Sequence, residues 1–181
     1  VFTRRAETQD VNAAVSVVID ASGSMLYNDR MKNANTCAFA LALALNKCGV
    51  ASEFVYFGKA VDCISAVHVA KSFEEKPLAS RFCITSSGGT PTGSAMQFAL
   101  RSLVLRPEGK KMMIVITDGE PDSVTPVVNA VTLANSFGVK VVPIGIETNV
   151  VGGFGADEFV CVDSSDKLGE AIKQAIRLKL F

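Results

Sequence analysis

The apolar run Ala13-Ala14-Val15-Ser16-Val17-Val18-Ile19 leads without a break into Asp20-Ala21-Ser22-Gly23-Ser24. The run is long enough and Val-rich enough for a strand buried on both faces, as the central strands of parallel sheets are. Gly23 marks where the chain must turn. Asp20, Ser22 and Ser24 therefore fall at the carboxyl end of a central strand, the edge where open α/β sheets bind ligands. Three oxygen-bearing side chains at alternate positions there make half a cage for a hard cation.

The rest of the chain alternates strands with helices. Arg30 to Lys47 is dense in Ala and Leu and ends at Gly49, so it reads as a helix, apolar nearly all round and well buried. Ser52 to Phe57 reads as a strand, and Val61 to Val69 as an edge strand paired as a hairpin. Pro77 to Ile84 is a short helix or irregular, and Ser86 to Gly89 is a loop. A helix opens at Pro91 or Thr92 and runs through Leu105. Lys111 to Thr117 and Val139 to Ile146 are buried strands, with a helix from Ser123 to Phe137 between them, ended by Gly138. Gly152, Gly153 and Gly155 mark a flexible loop, and Glu158 to Val162 a last strand. Ser165 to Leu180 is an amphipathic helix capped by Ser164 or Ser165. This order predicts a three-layer α/β fold: a mostly parallel central sheet with one antiparallel edge strand and helices on both faces.

Composition narrows the function. The 181 residues suit one domain, expected over 11–181, with the polar stretch 1–10 as a linker or the end of a preceding region. A start at Val1 suggests a piece of a longer protein. Lys plus Arg balance Asp plus Glu at 18 each, and aromatics are few, which gives no support to nucleic-acid binding. No run of apolar residues is long enough to span a membrane, and no signal peptide is visible. Cys37, Cys48, Cys63, Cys83 and Cys161 are scattered and form no CxxC pair. They read as reduced thiols of a cytoplasmic protein, most of them acting as small buried hydrophobes. His68, the sole histidine, reads as a surface or packing residue, and Lys110-Lys111 beside Arg106 as a solvated helix end.

Two further segments reach the same sheet edge. In Gly88-Gly89-Thr90-Pro91-Thr92-Gly93, glycines let the backbone pass close to a ligand and Thr90 points a hydroxyl outward, while Thr92 can cap the helix behind it. In Ile116-Thr117-Asp118-Gly119-Glu120, Asp118 ends its strand as Asp20 does. Taken alone, each is ordinary: a turn with a helix cap, a loop, a turn. All three in order at strand ends are far more specific. Glu120 and Asp122 flank this edge and read as a solvated loop, and Tyr27-Asn28-Asp29 as a partner-facing one.

Together these segments resemble the metal-ion-dependent adhesion site (MIDAS) of the von Willebrand factor A (vWA) domain: Asp-x-Ser-x-Ser, a Thr in a Gly-rich loop, and an Asp after a later strand. The resemblance runs from about Val11 to Leu180. It implies that Ser22, Ser24 and Thr90 bind a metal directly, while Asp20 and Asp118 act largely through water, Asp118 being able to move in. Mg2+ is the expected ion, with Mn2+ or Ca2+ as oxygen-seeking alternatives. Neutral hydroxyls leave the cation electrophilic, so a partner's carboxylate can complete it, and the metal serves binding rather than catalysis.

A narrower resemblance is to the C-terminal domain of the cobaltochelatase subunit CobT. It is carried by Thr36-Cys37-Ala38 through Lys47-Cys48-Gly49-Val50, by Ile144-Gly145-Ile146, and by Val162-Asp163-Ser164 through Leu180-Phe181. It implies a cobalt- or magnesium-chelatase-type subunit working with a ring-forming, CobS-like AAA+ ATPase, non-catalytic alone, with Phe181 as a natural end. The segment before Thr90 is shorter than in the chelatase subunit, so a stand-alone or phage-type vWA adaptor is the alternative. A haloacid-dehalogenase-type phosphatase needs a second carboxylate at the position of Ser22 and fits poorly. Neither GxGxxG after a strand nor GK[ST] occurs, so dinucleotide binding is excluded and any ATP hydrolysis belongs to a partner.

Overall fold

The computed structural model describes residues 12–58, 60, 61, 64, 65, 67–148, 152–155 and 159–179. Its centre is strand β1 (Ala13–Asp20), buried along its whole length. Strand β2 (Ala51–Phe57) pairs with it in parallel on one side. On the other side lies β6 (Lys110–Thr117), also parallel, followed by β7 (Val139–Ile146) and β8 (Val160–Val162). Strand β5 (His68–Lys71) closes the opposite edge, antiparallel to β2. Between β2 and β5, β3 (Ala60–Val61) and β4 (Ile64–Ser65) form a separate two-stranded pair. The main sheet runs β5-β2-β1-β6-β7-β8. The chain thus starts in the middle, builds outward to one side, then crosses back to the other. The strand order reverses between β1 and β6, and in such sheets that point opens a crevice at the carboxyl ends.

Alternation along β1 sorts its side chains into two layers. Ala13, Val15, Val17 and Ile19 face a cluster that also holds Met31, Ala34, Ala38, Ala42 and Leu45 of helix α1 (Arg30–Lys47) and Leu168, Ile172 and Ile176 of helix α4 (Leu168–Lys179). Ala14 and Val18 face the other cluster, with Ala95, Met96 and Leu103 of helix α2 (Thr92–Val104) and Val127, Ala130 and Ala134 of helix α3 (Val124–Ser136). The expected three-layer fold is therefore the observed one. A Cβ on Gly93 would lie 2.5 Å from the Pro126 carbonyl carbon, so glycine allows the close approach of α2 and α3.

Several local expectations are corrected. Helix α1 is not buried all round: the stripe Met31, Ala34, Ala38, Ala42 and Leu45 is buried, while Ala40, Leu43 and Ala44 face outward. Its small residues serve close packing on one face only. The edge strand lies at His68–Lys71 rather than Val61 to Val69, because two short strands take up the earlier part. His68 is exposed there. The only helical turn within 77–84 is the 3-10 turn Ala79–Phe82. Thr92 does not cap a helix with its side chain. A 3-10 turn, Ser165–Lys167, precedes α4, and the Ser164 hydroxyl bonds Asp166 instead of a backbone N–H. Arg106 is not a solvated helix end. It pairs with Glu74 and Glu108 and lies over the Phe73 ring at 5.0 Å. Cys48, Cys83 and Cys161 are exposed thiols rather than buried hydrophobes, and Cys37 is half-buried. The linker expected at 1–10, Cys63, and the ends at Glu158, Leu180 and Phe181 lie outside the described residues. Among the described residues no helix is long and apolar enough to cross a membrane.

Phe82 anchors the segment that leads to the second loop of the edge. Its ring meets Phe54 edge-on at 5.5 Å and Tyr56 at 6.5 Å, and Phe39 at 5.4 Å. A Phe82→Ala variant is expected to lose about 3–5 kcal/mol, the usual cost of emptying a packed aromatic site. A urea unfolding midpoint unchanged from wild type would contradict this.

Candidate functional site

The β1/β6 crevice gathers Asp20, Ser22, Ser24 and Asp118 of the sequence-predicted residues, with Thr90 on the adjoining loop. Asp20 ends β1 with no exposed surface. Its Oδ1 accepts the Ser22 backbone N–H at 2.7 Å and its Oδ2 accepts the Thr117 hydroxyl at 2.6 Å. One carboxylate thus folds the loop after β1 and ties it to the end of β6. The Thr117 hydroxyl in turn accepts the Gly119 N–H at 3.3 Å, shaping the turn beyond Asp118. Gly58 lets the end of β2 pass this loop: its φ is +129°, and a Cβ there would lie 2.6 Å from Ser22 N.

Beyond Asp20, three side chains meet. The Ser22 and Ser24 hydroxyl oxygens are 3.0 Å apart, and Ser24 donates to Asp118 Oδ1 at 2.7 Å. The second loop is joined to the first by backbone bonds, Gly23 N to Gly88 O at 3.1 Å and Ser87 N to Ala21 O at 2.7 Å. Thr90 is held at this edge by Asp122. The Asp122 carboxylate accepts Thr90 N–H at 2.8 Å, and Asp122 N–H donates to Thr90 O at 2.9 Å. Thr90's own hydroxyl makes no hydrogen bond among the described residues.

These donors suit a hard divalent cation. They are neutral hydroxyls and carboxylates, all oxygen, and those of Ser22, Ser24 and Asp118 lie within hydrogen-bond reach in series. Among the described residues no group of three or more His, Cys, Asp or Glu side chains could hold a metal ion, at this edge or elsewhere, so a cation here would depend on the hydroxyls. Burial pushes the Asp20 carboxyl up to about 6 from 3.8, over the opposing pull of its Thr117 and Ser22 hydrogen bonds, and Asp118 adds to the rise. A buried carboxylate so placed gains from a nearby positive charge.

Glu120 and Asp122 are exposed at this edge, as read, but each also makes a bond the sequence did not show: Asp122 clamps Thr90, and Glu120 accepts the Gly152 N–H at 2.8 Å. Arg30, read only as a helix start, donates to Asp118 Oδ2 at 2.7 Å and to Glu147. Their one local signal is charge close to the motif. Beside the edge, a cleft of about 520 Å³ opens between α1 and the 82–86 segment, lined by Met25, Leu26, Asn35, Phe82, Ile84 and Ser86. Leu26, which lines it, and the next residue, Tyr27, are exposed, 72% and 66%.

A doubly wound sheet with this loop constellation defines the vWA class of domain. A family model for the vWA domain of Rv0959-like proteins matches residues 13–137, and the chain belongs to that family. No curated protein matches the sequence. Among solved structures, proximal thread matrix protein 1 from the mussel byssus, with a zinc-occupied MIDAS motif, is similar at 19% identity and TM-score 0.73. The match covers 93% of this chain and 46% of that one, so the chain spans less than half of the mussel protein. The conserved hypothetical protein BatB from Bacteroides thetaiotaomicron is 22% identical with TM-score 0.70, covering 92% and 98% of the two chains. The vWF domain of the type V pili tip protein Mfa5 from Porphyromonas gingivalis is 14% identical with TM-score 0.72, covering 95% and 97%. At these identities the likeness is one of fold.

The raised Asp20 pKa gives a signed expectation. Without a cation, the folded chain keeps the Asp20 proton at pH values where the unfolded chain has lost it. Stability is therefore lost as pH rises from about 4 to 6, by on the order of 3 kcal/mol. Asp20→Asn removes that charge. In the presence of a chelator at pH 7 its urea midpoint should equal or exceed that of wild type, with a flatter profile between pH 4 and 6. A lower midpoint would show that the ionised carboxylate stabilises the loop.

Proposed function

We propose that this chain is a metal-dependent protein-binding domain whose Mg2+ site is formed by Ser22, Ser24 and Thr90, with Asp20 and Asp118 behind them. The observation that carries this reading is the contact series Ser22 Oγ, Ser24 Oγ, Asp118 Oδ1 at the reversal of strand order. Mn2+ and Ca2+ suit the same oxygens. When bound, a cation held by neutral hydroxyls keeps enough charge to draw a carboxylate from a partner protein. The zinc-occupied motif of the mussel protein supports a divalent ion at such an edge. Asp20 fixes the loop that presents the two serines, and Asp122 fixes the one that presents Thr90. The exposed Leu26 and Tyr27 offer apolar contact around the point where the partner's acidic residue arrives.

The narrower form of this proposal is a chelatase-type subunit working beside a CobS-like AAA+ ATPase. It rests on the CobT-like segments at 36–50, 144–146 and 162–181 alone. The stand-alone adaptor shares the same site without the ATPase. The matched family carries no chelatase name, so the broader form is the conclusion here.

Calorimetric titration with Mg2+ tests the site. Wild type should bind saturably, and the Ser22→Ala/Ser24→Ala double variant should bind at least roughly tenfold more weakly with its circular dichroism unchanged. Equal binding by the double variant would remove the two hydroxyls from the site. A pull-down with and without chelator tests the bridging role: a partner recovered equally well in both would refute it.

A further inference from the structure

The edge holds a second arrangement that metal binding by hydroxyls does not require. Arg30, the first residue of α1, donates through Nη1 to Asp118 Oδ2 at 2.7 Å and through Nη2 to Glu147 Oε2. The guanidinium fork thus spans two carboxylates from different strand ends. The Asp118 side chain is inaccessible, while those of Arg30 and Glu147 keep 16% and 23% exposure. Both Asp118 oxygens are taken, one by Ser24 and one by Arg30. Arg30 Nε, in contrast, is buried with no partner among the described residues. A bridge built only for stability would be expected to satisfy it.

The backbone around the bridge is unusual as well. Among the described residues three non-glycine positions have positive φ: Asn28 at +52°, Asp29 at +55° and Glu147 at +56°. All three adjoin this one ion cluster. Asn28 and Asp29 lead directly into Arg30, and Asn28 also donates to Glu147 at 3.3 Å. Such conformations cost free energy and gather where a site needs a set geometry.

We infer that Arg30 is a positioning residue that holds Asp118 in reserve and sets the affinity of the edge for divalent cations, with Glu147 receiving Arg30 when Asp118 is given up. This rests on the proposed metal site. In the conformation described, Arg30 balances the Asp118 charge from the Oδ2 side, so that carboxylate has less charge to offer a cation on the Ser24 side, at Oδ1. Two like charges cannot share one carboxylate without cost, so cation binding and the Arg30–Asp118 contact oppose each other. Glu147 is the more exposed acceptor, already in contact with the other arm of the guanidinium. Arg30 can therefore loosen its hold on Asp118 and remain paired. A merely structural bridge makes no such distinction between its two carboxylates.

The test is Mg2+ calorimetry on wild type, Arg30→Gln, Glu147→Gln and the double variant, with electron paramagnetic resonance counting of bound Mn2+ as a second readout. Arg30→Gln should bind the cation roughly tenfold more tightly, the lower end of what residues behind metal ligands contribute. Glu147→Gln should bind more weakly, since Arg30 then keeps only Asp118. In the double variant the Glu147 substitution should lose its effect. Saturable wild-type binding with Arg30→Gln unchanged or weaker would overturn the inference and leave the metal site standing. Absence of cation binding in all four proteins would overturn both. Binding by Arg30→Gln where wild type shows none would support both. Should Arg30→Gln fail to fold, Glu147→Gln decides alone: weaker binding supports the inference and unchanged binding overturns it.

Discussion

The Asp20 carboxylate joins the two halves of this molecule. It closes the first loop through Ser22 N–H and grips the end of β6 through Thr117, with no exposed surface of its own. A carboxylate so enclosed is tolerable only because each oxygen has a donor. Strands β1 and β6 are already paired in register, so this adds little to sheet formation. What it adds is geometry at the mouth of the crevice, where two loops from distant parts of the chain must present hydroxyls to one point. Gly58 and the Ala21 to Ser87 and Gly23 to Gly88 backbone bonds then seat those loops against each other.

The scaffold and the edge therefore obey different rules. The sheet is stabilised by apolar side chains sorted to two faces, and many exchanges of similar volume there are tolerated. The edge is assembled from polar groups with few alternative partners. Changing one alters the partners of the next, and with them the placement of the hydroxyls. That difference explains why the fold recurs in proteins below 25% identity, while a site has to be argued residue by residue.

Much of this was legible in the residues. A strand buried on both faces announces itself by an unbroken apolar run, so β1, β6 and β7 were readable nearly to their ends. Asp20, Ser22 and Ser24 were readable because their spacing is local, and Asp118 because it follows a clear strand. The structure brings Ser22, Ser24 and Asp118 into contact and places Thr90 on the adjoining loop. Arg30, Asp122 and Glu147 were not legible as a group. Arg30 is 88 residues from Asp118 and 117 from Glu147, and Asp122 is 32 from Thr90. Nothing in local periodicity reports such pairings. The cysteines show the converse error: an apolar neighbourhood in sequence does not say which way a side chain faces, and Cys48, Cys83 and Cys161 face outward. The edge strand was misplaced because weak alternation over 61–69 carried too little signal to fix its position.

The two borders of the sheet differ in direction but share one property: β5 has four residues and β8 three. An exposed border offers unpaired backbone groups to any passing chain, and many proteins fend this off with surplus like charge. Here the formal net charge at neutral pH is zero, so long-range repulsion between copies is absent. The brevity of both borders then takes on a colloidal role, denying neighbouring molecules a template long enough for stable cross-pairing. Resistance to edge-to-edge pairing is on that view a matter of geometry more than of charge.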